Sequence, residues 1–134
     1  MIEKIFNQKK LYALIVRRDY QTKKGANFFT DTKSSQQVGY INYKKGHIIL
    51  PHRHNKRNTK ILYTTEVIIL LEGVLRVDFY NEKEKYLLSK KLYSNDIIIL
   101  SNGAHGFKVL ETCEFIEVKN GPYDEKLDKT ILDG

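Results

Sequence analysis

A chain of 134 residues with one cysteine, a formal net charge of +7 and no long apolar run excludes several classes of protein at once. Cys113 has no partner for an intramolecular disulfide, and apolar runs such as residues 67–71 and 97–100 fall far short of the ~20 residues a membrane-spanning helix needs. The first ten residues carry Lys4, Lys9 and Lys10 among a few apolar side chains and lack the apolar stretch of a secretory signal, so a cytoplasmic chain without a membrane partner is expected.

Taken in chain order, the sequence predicts a turn or two of helix over residues 2–7, a strand over 11–16 and a long loop over 22–36. Further strands follow at 38–43, 47–50, 64–71, 74–80, 86–93, 96–100, 106–110 and 113–119. These runs are short, rich in Ile, Val and Tyr, and alternate with a period of two. Clusters such as Lys44-Lys45-Gly46, Glu72-Gly73, Asn81-Glu82-Lys83, Ser94-Asn95-Asp96 and Ser101-Asn102-Gly103 read as the turns between them. Residues 123–132 form a polar tail. Evenly spaced short strands indicate an all-β barrel or sandwich in one domain spanning residues 1–134, with helix confined to short terminal segments.

The basic balance, with a sequence pI of about 9.4, favours acidic partners. The basic pairs Lys9-Lys10, Arg17-Arg18, Lys23-Lys24, Lys44-Lys45 and Lys90-Lys91 are scattered rather than gathered on one helix. A small anionic molecule, such as a phosphorylated or nucleotide-linked sugar, is therefore expected rather than nucleic acid.

Three of the four histidines stand where a metal ion could use them. In an extended chain His52 and His54 point to one side. Glu66 heads a strand face that continues with Ile68 and Leu70, and a carboxylate there needs a partner. His105 sits in the glycine-flanked Asn102-Gly103-Ala104-His105-Gly106, whereas His47 lies at odd parity to His52 and reads as a non-ligand. Three imidazoles and one carboxylate suit one divalent ion of Fe, Mn, Ni or Zn with open positions for substrate.

These residues fall into a recognisable pattern. Gly46, His52-x-His54, Glu66 and Gly73 resemble the first motif of the cupin superfamily, and residues 95–105, ending in Gly103-Ala104-His105, resemble the second. Segments such as Gln37-Val38-Gly39-Tyr40, Pro51-His52-Arg53-His54-Asn55, Val77-Asp78-Phe79-Tyr80 and Glu117-Val118-Lys119-Asn120-Gly121-Pro122-Tyr123 are similar to small bacterial cupins associated with surface-polysaccharide gene clusters. The chain departs from the motifs in its long interval between His54 and Glu66, in Asn95 for the turn glycine and in Ser101 for the proline.

The resemblance implies a cupin-type double-stranded β-barrel (jelly roll) with His52, His54, Glu66 and His105 as metal ligands inside one mouth. The resemblance says less about the reaction; the expected function is a metal-dependent enzyme of isomerase or epimerase type acting on a small polar substrate such as a sugar or sugar nucleotide, with Glu66 as the catalytic carboxylate. An Fe(II)-dependent dioxygenase, a non-catalytic ligand-binding or regulatory module, and a purely structural metal are the alternatives. Tyr43, Arg76, Asp78 and Lys119 are candidate substrate contacts, with Arg76 and Lys119 the two suited to an anionic ligand. Many strand edges that need covering lead to the expectation of a homodimer.

Overall fold

The computed structural model describes residues Met1–Asp133. Eight strands supply the regular structure: β1 (Ile2–Asn7), β2 (Lys10–Val16), β3 (Gly25–Phe28), β4 (Gly39–Asn42), β5 (Glu66–Tyr80), β6 (Tyr86–Tyr93), β7 (Ile97–Leu100) and β8 (Ala104–Lys119). The chain is all-β, as its two-residue period predicts. Contacts divide it into two compact units: Met1–Tyr20 with the chain from Tyr63 onward, and Gln21–Leu62. The first unit holds a strongly curled antiparallel half-barrel in the order β1-β2-β7-β5-β6, with β8 also paired to β5. No helix long and apolar enough to cross a membrane occurs among the described residues.

The short terminal helices expected from the sequence are absent among the described residues. Residues 2–7 are too few to sustain a helix alone, and the neighbouring run offers them a ladder instead. β1 pairs antiparallel with β2 through a tight hairpin, Asn7 opposite Lys10, with Gln8 at a φ of 53°. At the other end the Asp124 carbonyl accepts from Leu127 N and Asp128 N, and the chain closes that single turn without continuing it.

β5 and β8, at 15 and 16 residues, are each a single strand where the sequence predicts two. The glycine at position 73 marks a bulge rather than a turn. From Glu66 to Ile69, β5 lies between β7 and β8; from Val74 to Tyr80 it lies between β6 and β8. β6 and β7 follow one another along the same edge of β5, interrupted at Asn95, which takes a φ of 71°. Asparagine tolerates that left-handed backbone. At the same level Asn95 N donates to Leu70 O (2.6 Å) and Leu70 N donates to Asp96 O (3.0 Å), while β5 and β8 slip register on either side of Glu72. Irregularities aligned across three neighbouring strands put a bend through the whole sheet.

The bend also changes which side chains point inward. Leu70 opposes Phe115 and Leu75 opposes Val109, so five steps on β5 face six on β8. Ile68 and Leu70 enter the core before the bend, and Leu75, Val77 and Phe79 after it. They meet Ile5, Ala13, Ile15, Leu92, Ile98 and Leu100, all buried. Each large aliphatic side chain among them contributes about 1.5–3 kcal/mol by leaving water.

One polar cluster is built into this apolar body. Asp96, 1% exposed, accepts from Arg17 Nη1, Arg18 N and Tyr93 N at 2.8–2.9 Å. Arg17 in turn donates through Nε to Glu3 (2.7 Å) and through Nη1 to the Lys91 carbonyl (2.7 Å). The charge of Asp96 is thus matched, and the β6–β7 interruption is tied to β1 and β2.

The second unit is built on the β3–β4 hairpin, with Asn27 opposite Tyr40. The Phe28 ring covers Gly39. Residues 47–50, expected as a strand, are irregular and exposed.

The bend and the polar cluster each lead to a measurable outcome. A Cβ on Gly73, already at a φ of 92°, would fall 2.1 Å from the Thr112 carbonyl oxygen. Gly73→Ala should therefore destabilise the fold by roughly 3 kcal/mol, combining left-handed strain with backbone overlap, as read from urea unfolding midpoints. The second outcome concerns acid. The hydrogen bond from Arg17 holds the Glu3 carboxyl below its ordinary range, against the opposing effect of burial and with help from Lys90. A depressed carboxyl stabilises the folded state fully above its ordinary pKa, and that contribution disappears as pH falls through the lowered value. Urea midpoints should drop below a pH of about 4.3, and Glu3→Gln should remove part of that dependence.

Candidate functional site

Glu66 opens β5 and is paired on both sides, with Leu100 of β7 and Lys119 of β8. Just before it, Thr65 N and Oγ1 both donate to Asn120 Oδ1 at 3.0 and 2.8 Å. The carboxylate is therefore held on a backbone with little freedom. It faces inward, at the head of the row that continues through Ile68 and Leu70.

His105 lies at the far end of the same ribbon, opposite Phe79. Between Glu66 and Phe79 an extended strand covers about 40 Å. The bend folds that length back on itself, and His105 Nε2 stands 3.0 Å from Glu66 Oε2. The loop that delivers the histidine is fixed from beneath. Ser101 N and Asn102 N donate to the Tyr12 carbonyl (2.9 and 3.3 Å), and Asn102 Nδ2 donates to the Leu11 carbonyl (3.0 Å). Gly103, at a φ of 74°, passes directly over the Tyr12 ring, which is fully buried and whose hydroxyl accepts from Asn7 (3.1 Å).

The pair sits in a cavity of about 750 Å³ in the first unit, whose lining includes Tyr80, Phe107, Glu117 and Lys119. Its volume falls in the range of small-molecule sites, about 300–1,000 Å³. The side chains of Glu66 and His105 are 19% and 23% exposed, open enough to meet a ligand and sheltered enough to feel each other. The hydrogen bond to His105 holds the Glu66 carboxyl below its ordinary range; burial opposes this, and the charges of His105 and Lys119 add to it. The His105 ring also meets Phe107 edge-on at 5.3 Å between centroids.

The other residues singled out from the sequence are distributed as follows. Lys119 lines the cavity, 3.6 Å from Asp128 and 5.4 Å from the centre of the Tyr123 ring. Arg76 and Asp78 face away from the core and satisfy each other through two hydrogen bonds of 2.8 and 3.0 Å, with Ser89 Oγ also donating to Asp78; neither lines the cavity. Tyr43, His52 and His54 belong to the second unit. There Tyr43 stacks on His47 at 3.8 Å, and the His52 and His54 rings meet edge-on at 5.3 Å. His52 Nδ1 also lies 2.8 Å from the Leu50 carbonyl.

Among the described residues, no three His, Cys, Asp or Glu side chains gather as a metal cluster. Glu66 and His105 offer one carboxylate oxygen and one imidazole nitrogen, a donor pair that fits two positions on an Fe, Mn, Ni or Zn ion. Sequence reasoning missed Lys10 and Lys129, which line the cavity together with Glu117 and Asp128, so its wall carries both signs of charge. Nothing in their local pattern distinguishes them from the chain's other lysines.

Compared with known proteins, the chain matches no family model, no curated protein and no solved structure.

The support beneath His105 can be tested directly. A Cβ at Gly103 would lie 2.3 Å from Tyr12 Cε2, so Gly103→Ala should cost about 2–3 kcal/mol and shift the His105 imidazole resonances. Adding Tyr12→Leu should make the two changes markedly non-additive in a double-mutant cycle of unfolding free energies.

Proposed function

We propose that this chain is a cupin-type metalloprotein that binds a small anionic metabolite, of the sugar or sugar-nucleotide kind, in the cavity floored by Glu66 and His105. The observation that carries the reading is the contact between these two side chains, distant in sequence and joined inside a ligand-sized cavity beside Lys119. A jelly-roll completion of the half-barrel and a place among polysaccharide-associated cupins belong to the same proposal, and both rest on the sequence motifs.

Within the cavity, Lys119 attracts and orients an anionic group as a movable point charge. Phe107 and Tyr80 supply flat apolar surface for a sugar ring or base. Glu66, held ionised by its neighbours, is a poor proton acceptor near neutral pH. Its fitting roles are to ligate a cation and to hold the His105 imidazole in one orientation and tautomer. A divalent ion there would supply Lewis acidity for polarising a carbonyl or hydroxyl, the chemistry that an isomerase or epimerase of a hydroxy-carbonyl sugar requires. The same depressed carboxyl favours, as a second reading, ligand binding without turnover.

Self-association completes the proposal. β8 pairs only with β5 among the described residues, and pairing between two copies would satisfy the backbone groups of its other edge.

The test is metal binding by the whole protein. Isothermal titration with Mn, Ni and Zn, and with Fe under anaerobic conditions, should give one equivalent. Glu66→Gln or His105→Asn should weaken that binding by about tenfold to a hundredfold or more. The sequence motif also assigns His52 and His54 to the ion, and the double variant His52→Ala/His54→Ala tests that assignment separately. Unchanged affinity in the Glu66 and His105 variants would remove the metal from the reading.

A further inference from the structure

The two units differ sharply in charge. Gln21–Leu62 contains nine of the chain's 23 Lys and Arg residues and one of its 16 Asp and Glu residues. Its net charge is +8, while the remainder, with fourteen cations and fifteen acids, is close to neutral at −1. Basic pairs that look scattered along the sequence therefore concentrate their excess in one unit of 42 residues. The unit's one acidic side chain, Asp31, is occupied by its own loop, accepting from Lys33 N at 2.8 Å.

Within that unit the charge is densest after Tyr43. Lys44, Lys45, Arg53, Lys56, Arg57 and Lys60 all lie in an irregular, exposed segment without an acidic residue. Between the first two and the last four stand Ile48, Ile49 and Leu50, which are 75%, 64% and 75% exposed. Three consecutive large apolar side chains this open to water form the kind of exposed patch that marks a contact surface. Leu62, 72% exposed, adds to them at the end of the segment.

Exposed apolar side chains with cations before and after them in the segment match one class of partner better than others. At an anionic lipid surface, Ile48, Ile49 and Leu50 would enter the boundary between headgroups and acyl chains, and the flanking Lys and Arg side chains would meet lipid phosphates. A nucleic acid would satisfy the cations and leave the three aliphatic side chains in water. The absence of an apolar run long enough to span a bilayer does not bear on surface attachment, which needs only a shallow insertion.

We infer that the segment of residues 44–62 attaches the protein to anionic membrane surfaces. This reading does not draw on the Glu66–His105 cavity, although His52 and His54, which the sequence motif assigns to the ion, fall within the segment.

The experiment is co-sedimentation of the full chain with vesicles of phosphatidylcholine alone and of phosphatidylcholine with ~30% phosphatidylglycerol, an anionic content that raises the surface potential. Binding is expected only to the anionic vesicles, and it should weaken as salt shortens the screening length. Lys56→Gln/Arg57→Gln/Lys60→Gln should lower the partition coefficient by about fivefold per charge removed, or roughly a hundredfold. Ile48→Ser/Ile49→Ser/Leu50→Ser should lower it at least as much with every charge retained.

The chain contains no tryptophan, so Ile49→Trp provides a single tryptophan that can be excited apart from the tyrosines. Its fluorescence should shift to the blue with anionic vesicles and be quenched by shallowly brominated lipid. No binding to anionic vesicles would overturn the inference. So would binding indifferent to the serine variant, or a tryptophan whose emission stays that of water. Tighter binding to single-stranded DNA than to vesicles, unaffected by the serine variant, would overturn it in favour of a nucleic-acid surface.

Discussion

The bend through β5 and β8 is the constraint on which the first unit depends. Without it the two strands would form a ribbon with Glu66 near one end and His105 near the other, tens of ångströms away. Three local features produce it at one level: the left-handed Asn95, the left-handed Gly73 packed on the Thr112 carbonyl, and the register slip around Glu72. The buried Asp96, saturated by three donors, holds that level against β1 and β2 through Arg17. The core and the cavity are two results of one fold in the sheet. Side chains near the crease pack on each other, and those near the free ends leave room.

Much of this is legible in the sequence. The period-two runs locate β2, β6 and β7 and, each as two pieces, β5 and β8, and β6 runs over the same residues that its pattern predicts. Local periodicity does not tell a turn from a bulge. Glu72-Gly73 carries the same residues in either case, and the difference depends on whether β8 runs past on the other side. The N-terminal segment differs from its expectation for a related reason. Six residues alone carry too little periodicity to choose between helix and strand, and β1 is decided by the presence of β2. Residues 47–50 show the converse, a strand-like composition that stays irregular within its own unit.

The candidate site is legible to a comparable degree. Glu66 stands out because a carboxylate at the head of an apolar strand face needs a partner, and His105 because glycines flank it. The structure brings these two side chains to within 3.0 Å of each other. Arg76 and Asp78 alternate with the core positions Leu75, Val77 and Phe79 beyond the bend, so these two side chains face away from the core and pair with each other. Lys119 lies on β8 opposite Glu66, and its place in the cavity follows from that pairing.

The crease also makes the ribbon a lever. Each arm runs six or seven residues from the crease, about 20 Å of strand. A change of about 5° at the bulge would move an arm's tip by about 2 Å over that length. Such a displacement is enough to separate the hydrogen-bonded carboxylate and imidazole, or to seat a cation between them. The cavity is thus coupled to the crease through the two arms, and substitutions at Gly73 or Asn95 would act on it without lining it.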